Sequence, residues 1–151
     1  MRVVARGAEQ TEAVGRALAA ALLPGDLLAL TGELGAGKTT LIRGIAEGLG
    51  VDPMLVHSPT FVLHHVYPAP AITLHHIDLY RLGAGAGTAS LALEELLEEG
   101  VVAVEWAEYA QLDAFAPARI RIDAPDPQSR VITLEAAAPE RMRLAVAGSL
   151  T

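Results

Sequence analysis

Lys38 is the only lysine in the chain; the other ten basic residues are arginines. It sits in Gly32-Glu33-Leu34-Gly35-Ala36-Gly37-Lys38-Thr39, which fits the pattern G-x-x-x-x-G-K-[ST] at every position. Glycines let the backbone turn until successive N–H groups face one point, and such a concavity suits phosphate oxygens. The main-chain amides of Glu33, Leu34, Gly35, Ala36, Gly37, Lys38, Thr39 and Thr40 are therefore the candidate cradle for a nucleotide. Lys38 is placed to reach the β- and γ-phosphates, and the Thr39 hydroxyl to meet Mg²⁺. The sequence is rich in Ala, Gly, Arg and Leu, a bias that puts arginine wherever either base will serve. The surviving lysine marks a site that takes a compact ammonium and excludes a planar fork.

A phosphate loop of this kind needs a carboxylate at the end of a neighbouring buried strand to hold the magnesium. Glu105, which ends Val101-Val102-Ala103-Val104-Glu105, fits that need; the other reading is that it marks where the strand meets solvent. Trp106, the single tryptophan, follows it as either a core or rim aromatic or a functional one. In Leu74-His75-His76-Ile77-Asp78-Leu79-Tyr80, strand alternation puts Leu74, His76, Asp78 and Tyr80 on one face and His75, Ile77 and Leu79 on the other. The first face is too polar for pure core. Asp78 could orient or deprotonate an attacking water, or hold a metal-bound one. His57, His64 and His65 add a zinc alternative, but their spacing supplies no compact ligand set. His64, His65 and His75 are expected on the hairpin surface. Arg81 is open between a phosphate and a structural carboxylate.

These groups need elements to position them. Arg2–Val4 reads as a short strand. Thr11 reads as the cap of a helix whose apolar stripe is Val14, Ala17, Leu18, Ala21 and Leu22, stopped by Pro24-Gly25. Asp26–Thr31 is a buried strand before the glycine loop, and a helix follows with Leu41, Ile42, Ile45 and Leu49 inward. Thr60–Tyr67 and Ile72–Tyr80 form a hairpin around Pro68–Ala71, and Leu82–Ser90 is a surface loop. Leu91–Glu99 is a helix, Val101–Trp106 a buried strand, and Arg119–Ile122 and Val131–Glu135 a late antiparallel pair. Strands with interleaved helices predict an α/β sandwich of three layers, its sheet parallel at the centre with an antiparallel hairpin and terminal strands added.

The 151 residues carry a net charge of −7 and are 52% hydrophobic, which fits one folded domain over 1–151 and argues against disorder. An acidic chain is not expected to grip nucleic acid by itself, because phosphate neutralisation needs clustered Lys and Arg. No run approaches the roughly 18 apolar residues of a membrane span, and the start lacks a signal-peptide core, so a cytoplasmic address is expected. Cysteine is absent, which excludes disulfides and thiolate metal sites.

The order of the glycine loop, Ser58-Pro59-Thr60-Phe61, His76-Ile77-Asp78-Leu79-Tyr80-Arg81 and Val104-Glu105-Trp106 resembles the bacterial TsaE family, formerly YjeE, over nearly the whole chain. These are small P-loop ATPases needed to make threonylcarbamoyladenosine in tRNA. The resemblance implies a P-loop α/β sandwich that hydrolyses ATP with Mg²⁺, with Lys38 and the loop amides on the phosphates and Thr39 with Glu105 on the metal. It also implies that Asp78 is a catalytic aspartate, that Thr60 belongs to a switch near the γ-phosphate, that Thr11 is an adenine-side contact and that Trp106 stands beside the metal ligand. Its implied partners are the TsaD and TsaB subunits, with tRNA reached only through them. Ala107 departs from the proline the family often has there, and the glycine-rich Leu82–Ser90 from a region usually richer in acidic residues.

Three rivals remain. A small-molecule kinase of the P-loop class would carry an arginine-bearing lid, and Leu82–Ser90 holds no arginine. A GTPase would need an N-K-x-D motif, which one lysine at 38 cannot supply. A nucleotide-regulated binding module would seldom hydrolyse. No arginine stands in an evident finger position, since Arg43 follows along the helix, so slow hydrolysis by the chain alone is expected.

Overall fold

A run of four apolar residues with no polar alternation belongs in a strand covered on both faces, and Val101–Val104 is fully buried. It lies near the centre of the sheet in the computed structural model, which describes residues 1–57, 64–83 and 92–151. The elements in chain order are β1 (Arg2–Arg6), α1 (Gly7–Ala19), β2 (Leu27–Thr31), α2 (Lys38–Gly48), β3 (His64–Tyr67), β4 (Thr73–Asp78), α3 (Leu93–Glu99), β5 (Gly100–Glu105), β6 (Ala118–Asp126), β7 (Ser129–Leu134) and α4 (Glu140–Ala147). One seven-stranded sheet has the order β1-β7-β6-β2-β5-β4-β3. Its centre, β6-β2-β5-β4, is parallel; β1, β7 and β3 join antiparallel. This is the expected mixed α/β sheet.

Alternation along the central strands sorts the core into two layers. Leu28, Leu30, Leu74, Val101 and Ala103 face a cluster shared with α1, α2 and α4. Leu27, Ala29, Ile77, Val102 and Val104 face a second cluster with Leu93 of α3 and the turns around Ala107 and Leu112. The predicted division of β4 between two faces therefore holds. Among the described residues no helix is long and apolar enough to cross a membrane.

Several expectations are corrected. Thr11 does not cap α1. The helix starts four residues earlier at Gly7, where the Gln10 side chain reaches back to accept from the Arg6 N–H at 2.7 Å. Thr11 is inside the helix, 1% exposed, its hydroxyl donating to the Gly7 carbonyl at 3.2 Å. His75 is buried rather than on the hairpin surface, because its face of β4 packs on the α3 side. The late hairpin turns more tightly than expected: β6 continues to Asp126, whose carboxylate accepts from the Gln128 and Ser129 N–H groups at 2.9 and 2.8 Å. The expected strand before His64 and most of the expected loop before Ala92 fall on residues 58–63 and 84–91, outside the described residues. Helix α4 has no counterpart in the sequence reading. It buries only Met142 and Val146 and leaves Leu144 exposed, so its apolar stripe is thin. It is fastened instead by Arg141, whose guanidinium spans both carboxylate oxygens of Asp26 at 2.7 and 2.6 Å.

Helices α1 and α2 meet backbone to backbone. A Cβ on Gly44 would sit 2.2 Å from the Glu12 carbonyl oxygen, and one on Gly15 would sit 2.4 Å from that of Leu41. The contact fixes the tilt of α2 and hence where its N-terminal end, carrying Lys38 and Thr39, meets the sheet. Gly44→Ala gains about 1 kcal/mol of helix propensity but forces these backbones apart at a cost of about 1–3 kcal/mol or more. The clash is with backbone, which cannot rotate away, so the loss wins. Calorimetry should show the melting temperature of Gly44→Ala lowered by up to about 8 °C; a raised melting temperature would mean the helices are not in contact there.

Candidate functional site

The loop between β2 and α2 turns on glycines whose φ angles only glycine adopts freely: +80° at Gly35 and +109° at Gly37. Gly37 immediately precedes α2, whose first turn contains no acidic residue to occupy its N–H groups. Lys38 folds back over this loop. Its ammonium donates to the carbonyls of Gly32 and Glu33, the latter at 2.9 Å, and lies 4.3 Å from the centroid of the Trp106 ring. Burial pushes its pKa down, opposed by the nearby carboxylates of Glu105, Glu108 and Asp78.

On the next turn, the Thr39 hydroxyl is 3.0 Å from both oxygens of Glu105. The sheet makes this meeting inevitable. Glu105 continues the Val101-Ala103 face of β5, which is the face that packs on α2. Parallel register sets Asp78 of β4 opposite Glu105. Glu105 and Asp78 are 3% and 9% exposed, so two carboxylates are largely buried within one cleft. Asp78 accepts from the Tyr80 N–H through Oδ1 at 2.9 Å. The cleft, about 410 Å³, is lined by Lys38, Thr39, Asp78, Glu105, Trp106 and Arg81 among others.

A smaller cleft of about 110 Å³ adjoins it, with Gly35, Gly37 and Thr40 lining both. Thr11 lines this second cleft, together with Pro127 and Arg130 of the β6–β7 hairpin. The predicted residues thus divide into two groups: Lys38, Thr39, Asp78 and Glu105 in the larger cleft, Thr11 in the smaller. The side chains of Glu33 and Leu34 are exposed, and Leu34 lines the larger cleft. Ala36 is buried beneath the loop. Thr60 lies outside the described residues.

Two features escaped the sequence reading: the place of Arg130 and the backbone conformation of Trp106. Arg130 packs its guanidinium stem against the loop, 3.7 Å from where a Cβ of Gly37 would stand, and its Nη1 donates to the carbonyl of Ser129 at 2.8 Å. Arg81 lines the larger cleft. Arg81, left open between a phosphate and a structural carboxylate, is thus at the cleft. Arg43 does point away, donating to the Val56 carbonyl at 3.1 Å. The second feature is Trp106. Its backbone is left-handed, φ +56°, a conformation costly for a bulky residue. The ring stacks on Tyr109 with centroids 5.5 Å apart and leans on Tyr80 at 5.0 Å.

The histidines pair with neighbours rather than around one point. His64 Nε2 and His75 Nδ1 are 2.9 Å apart, and His65 Nδ1 is 3.1 Å from the Tyr67 hydroxyl. Among the described residues no group of three or more His, Asp or Glu side chains is placed to hold a metal ion. The hard-oxygen pair of Thr39 and Glu105 suits a different kind of cation. Mg²⁺ keeps most of its waters and takes one or two protein oxygens beside substrate phosphates.

A family model described as threonylcarbamoyl adenosine biosynthesis protein TsaE matches residues 5–132. The chain is 46% identical over 112 residues to the tRNA threonylcarbamoyladenosine biosynthesis protein TsaE of Streptomyces coelicolor, covering 72% of this chain and 74% of that one. It is 44% identical over 100 residues to the protein of the same name from Bacillus subtilis, covering 66% of this chain and 61% of the relative. The crystal structure of Bacillus subtilis YdiB superposes with a TM-score of 0.73 at 30% identity, over 97% of this chain and 91% of that one.

Burial lowers the pKa values of His64 and His75, and for His64 the neighbouring histidines lower it further, while Glu99 partly opposes the effect at His75. Below about pH 6.5, the ordinary histidine pKa, the unfolded chain takes up protons that the folded pair resists. Stability conferred by the neutral pair is complete above that pH and is lost as pH falls toward the lowered folded values. Urea titrations should show a lower midpoint at pH 5.5 than at pH 7.5, and the difference should shrink in His64→Gln/His75→Gln. An unchanged difference in the double variant would mean that other groups carry the dependence.

Proposed function

The chain belongs to the TsaE family of threonylcarbamoyladenosine biosynthesis proteins, and from that premise we propose that it is a Mg²⁺-dependent ATPase that acts on the TsaD–TsaB transferase during tRNA modification. The observation that carries the reading is the Thr39 hydroxyl held 3.0 Å from both Glu105 oxygens at the mouth of a glycine loop that also folds Lys38 inward.

In this reading the loop amides and Lys38 hold the phosphate tail of ATP. The carbonyls of Gly32 and Glu33 that now accept from the ammonium keep it aimed along the loop, so little reorganisation is needed when phosphate oxygens compete for it. Thr39 and Glu105 hold Mg²⁺, which when bound neutralises charge on the phosphates. Asp78 of β4 stands opposite Glu105 of β5 in the same cleft. It orients the attacking water, with its Oδ1 fixed by the Tyr80 N–H. Arg81 supplies positive charge to the cleft wall. Thr11 and Arg130, in the adjoining cleft, are placed for the nucleoside side of ATP. The family membership and the net charge of −7 support action through TsaD and TsaB rather than a direct grip on tRNA.

Lys38→Ala should lower ATP hydrolysis by at least about 100-fold, the scale for removing one preorganised donor to transition-state charge. It should also fail to sustain repeated tRNA modification when added to TsaD and TsaB with ATP. Calorimetry of the parent with Mg·ATP showing no heat, or a Lys38→Ala protein that supports modification as well as the parent, would overturn the reading. If the parent binds Mg·ATP tightly but turns none over in a single-turnover assay with and without partners, the chain is a nucleotide-regulated binding module instead.

Arg130→Ala removes a side chain from the smaller cleft without touching the Thr39–Glu105 pair. Its ATP affinity should fall about 5–20-fold, the loss of one hydrogen bond or stacking contact to a charged group. Its affinity for free triphosphate should stay near that of the parent. Equal losses for both ligands would place Arg130 on the phosphates.

A further inference from the structure

Glu105 has a second partner that the reading above does not use. His76 is 0% exposed, and its Nε2 lies 2.5 Å from Glu105 Oε2. We propose that His76 is a positioning residue for Glu105, fixing which carboxylate oxygen is left to meet the divalent cation. The inference rests on the ATPase reading and adds to it a residue on a different strand.

The geometry follows from the sheet. His76 lies two residues before Asp78 on the same face of β4 and pairs with Ala103, which lies two residues before Glu105 on β5. The small Ala103 side chain leaves room for the imidazole to lean along the strands toward Glu105. The ring is flanked by Tyr67, with centroids 6.3 Å apart. His76 Nδ1 is buried without a hydrogen-bond partner. That surrounding favours a bare lone pair over an N–H, and so assigns the proton of the neutral ring to Nε2, the donor to Glu105.

Thr39 alone cannot do this work. Its hydroxyl has one proton and is equidistant from the two Glu105 oxygens, so it does not distinguish them. The His76 N–H occupies Oε2 and breaks the symmetry, leaving Oε1 the less committed oxygen. Packing does not account for a histidine here. Leucine or methionine would fill a fully buried position without stranding a ring nitrogen, which carries a cost. The polar contact to Glu105 is what a histidine adds.

The test measures affinity for a non-hydrolysable ATP analogue by calorimetry, with saturating Mg²⁺ and again with EDTA, for the parent, His76→Leu and His76→Gln. The ratio of the two affinities isolates the cation. His76→Leu should reduce the parent ratio by about 10–100-fold, the scale for losing a partner that orients a metal ligand. Its affinity in EDTA should stay close to the parent's. His76→Gln, whose amide can donate from nearly the same point, should recover most of the ratio. Imidazole ¹⁵N–¹H correlation spectra of the parent should find the His76 proton on Nε2, a measurement that stands even if His76→Leu does not fold. A proton on Nδ1 instead, a parental ratio in His76→Leu, or parallel loss of EDTA affinity and melting temperature in both variants would overturn the proposal. In those cases the ATPase reading survives. A parent that gains nothing from Mg²⁺ would remove both.

Discussion

Parallel pairing of β4 with β5 brings Asp78 opposite Glu105, about 4.8 Å away across the sheet, and sets His76 one step behind on the same face. Asp78 and Glu105 take their places in the larger cleft from that register, and Lys38 and Thr39 from the helix that packs on that face. A slip by one residue would turn Asp78 and His76 toward α3 and leave Glu105 facing Ile77 or Leu79. The apolar residues prevent the slip. Leu74, Val101 and Ala103 must face α2, while Ile77, Val102 and Val104 must face the α3 layer. The chemistry of the cleft and the burial of the core are therefore one constraint, read at alternate positions of the same strands.

The other half of the cleft depends on how closely α2 approaches. Gly15 and Gly44 let α1 and α2 touch through their backbones, and α2 then delivers Lys38 and Thr39 to the sheet at the level of Glu105. The resulting pocket concentrates negative charge. Glu105, Glu108 and Asp78 all act on Lys38, and they oppose the pull of burial on its pKa. Such a site favours bound cations, and it explains why a chain so short of lysine keeps one here. The ammonium fits between the carbonyls of Gly32 and Glu33 and the face of Trp106. A guanidinium, wider and planar, could not make the same contacts in that space.

Much of this was legible in the sequence, for reasons specific to each segment. The glycine loop is read locally, since turn, amides and lysine are consecutive. The run Val101–Glu105 is read from its lack of alternation, and the faces of His75–Tyr80 from strand periodicity. What stayed hidden depends on distant partners. Arg130 belongs to a hairpin near the end of the chain, and nothing around it in sequence says that β7 and β1 carry it beside Gly37. His75 looked like surface because polar residues usually are; only the packing of α3 on its face of β4 buries it. Thr11 has the composition of a cap, yet the chain enters α1 directly from β1, and Gln10 closes the helix start from inside. Helix α4 has only a thin stripe, Met142 and Val146, and an ion pair, Arg141 with Asp26, adds to its hold.

Trp106 shows how these constraints converge. It follows Glu105, so the chain must leave β5 at the point where the cleft needs a wall. Continuing as a strand would carry the ring past Lys38. Turning into the left-handed region instead brings it over the ammonium and against Tyr80 and Tyr109. Such a backbone costs about 1–3 kcal/mol for a residue that is not glycine. Stacking returns about 0.5–1.5 kcal/mol for each aromatic pair, and the contact with the cation adds about 0.5–2 kcal/mol. The two sides are comparable, so the contacts with Tyr80, Tyr109 and Lys38 together offset the strain. Anything that draws the ammonium away from the ring removes one of the three supports.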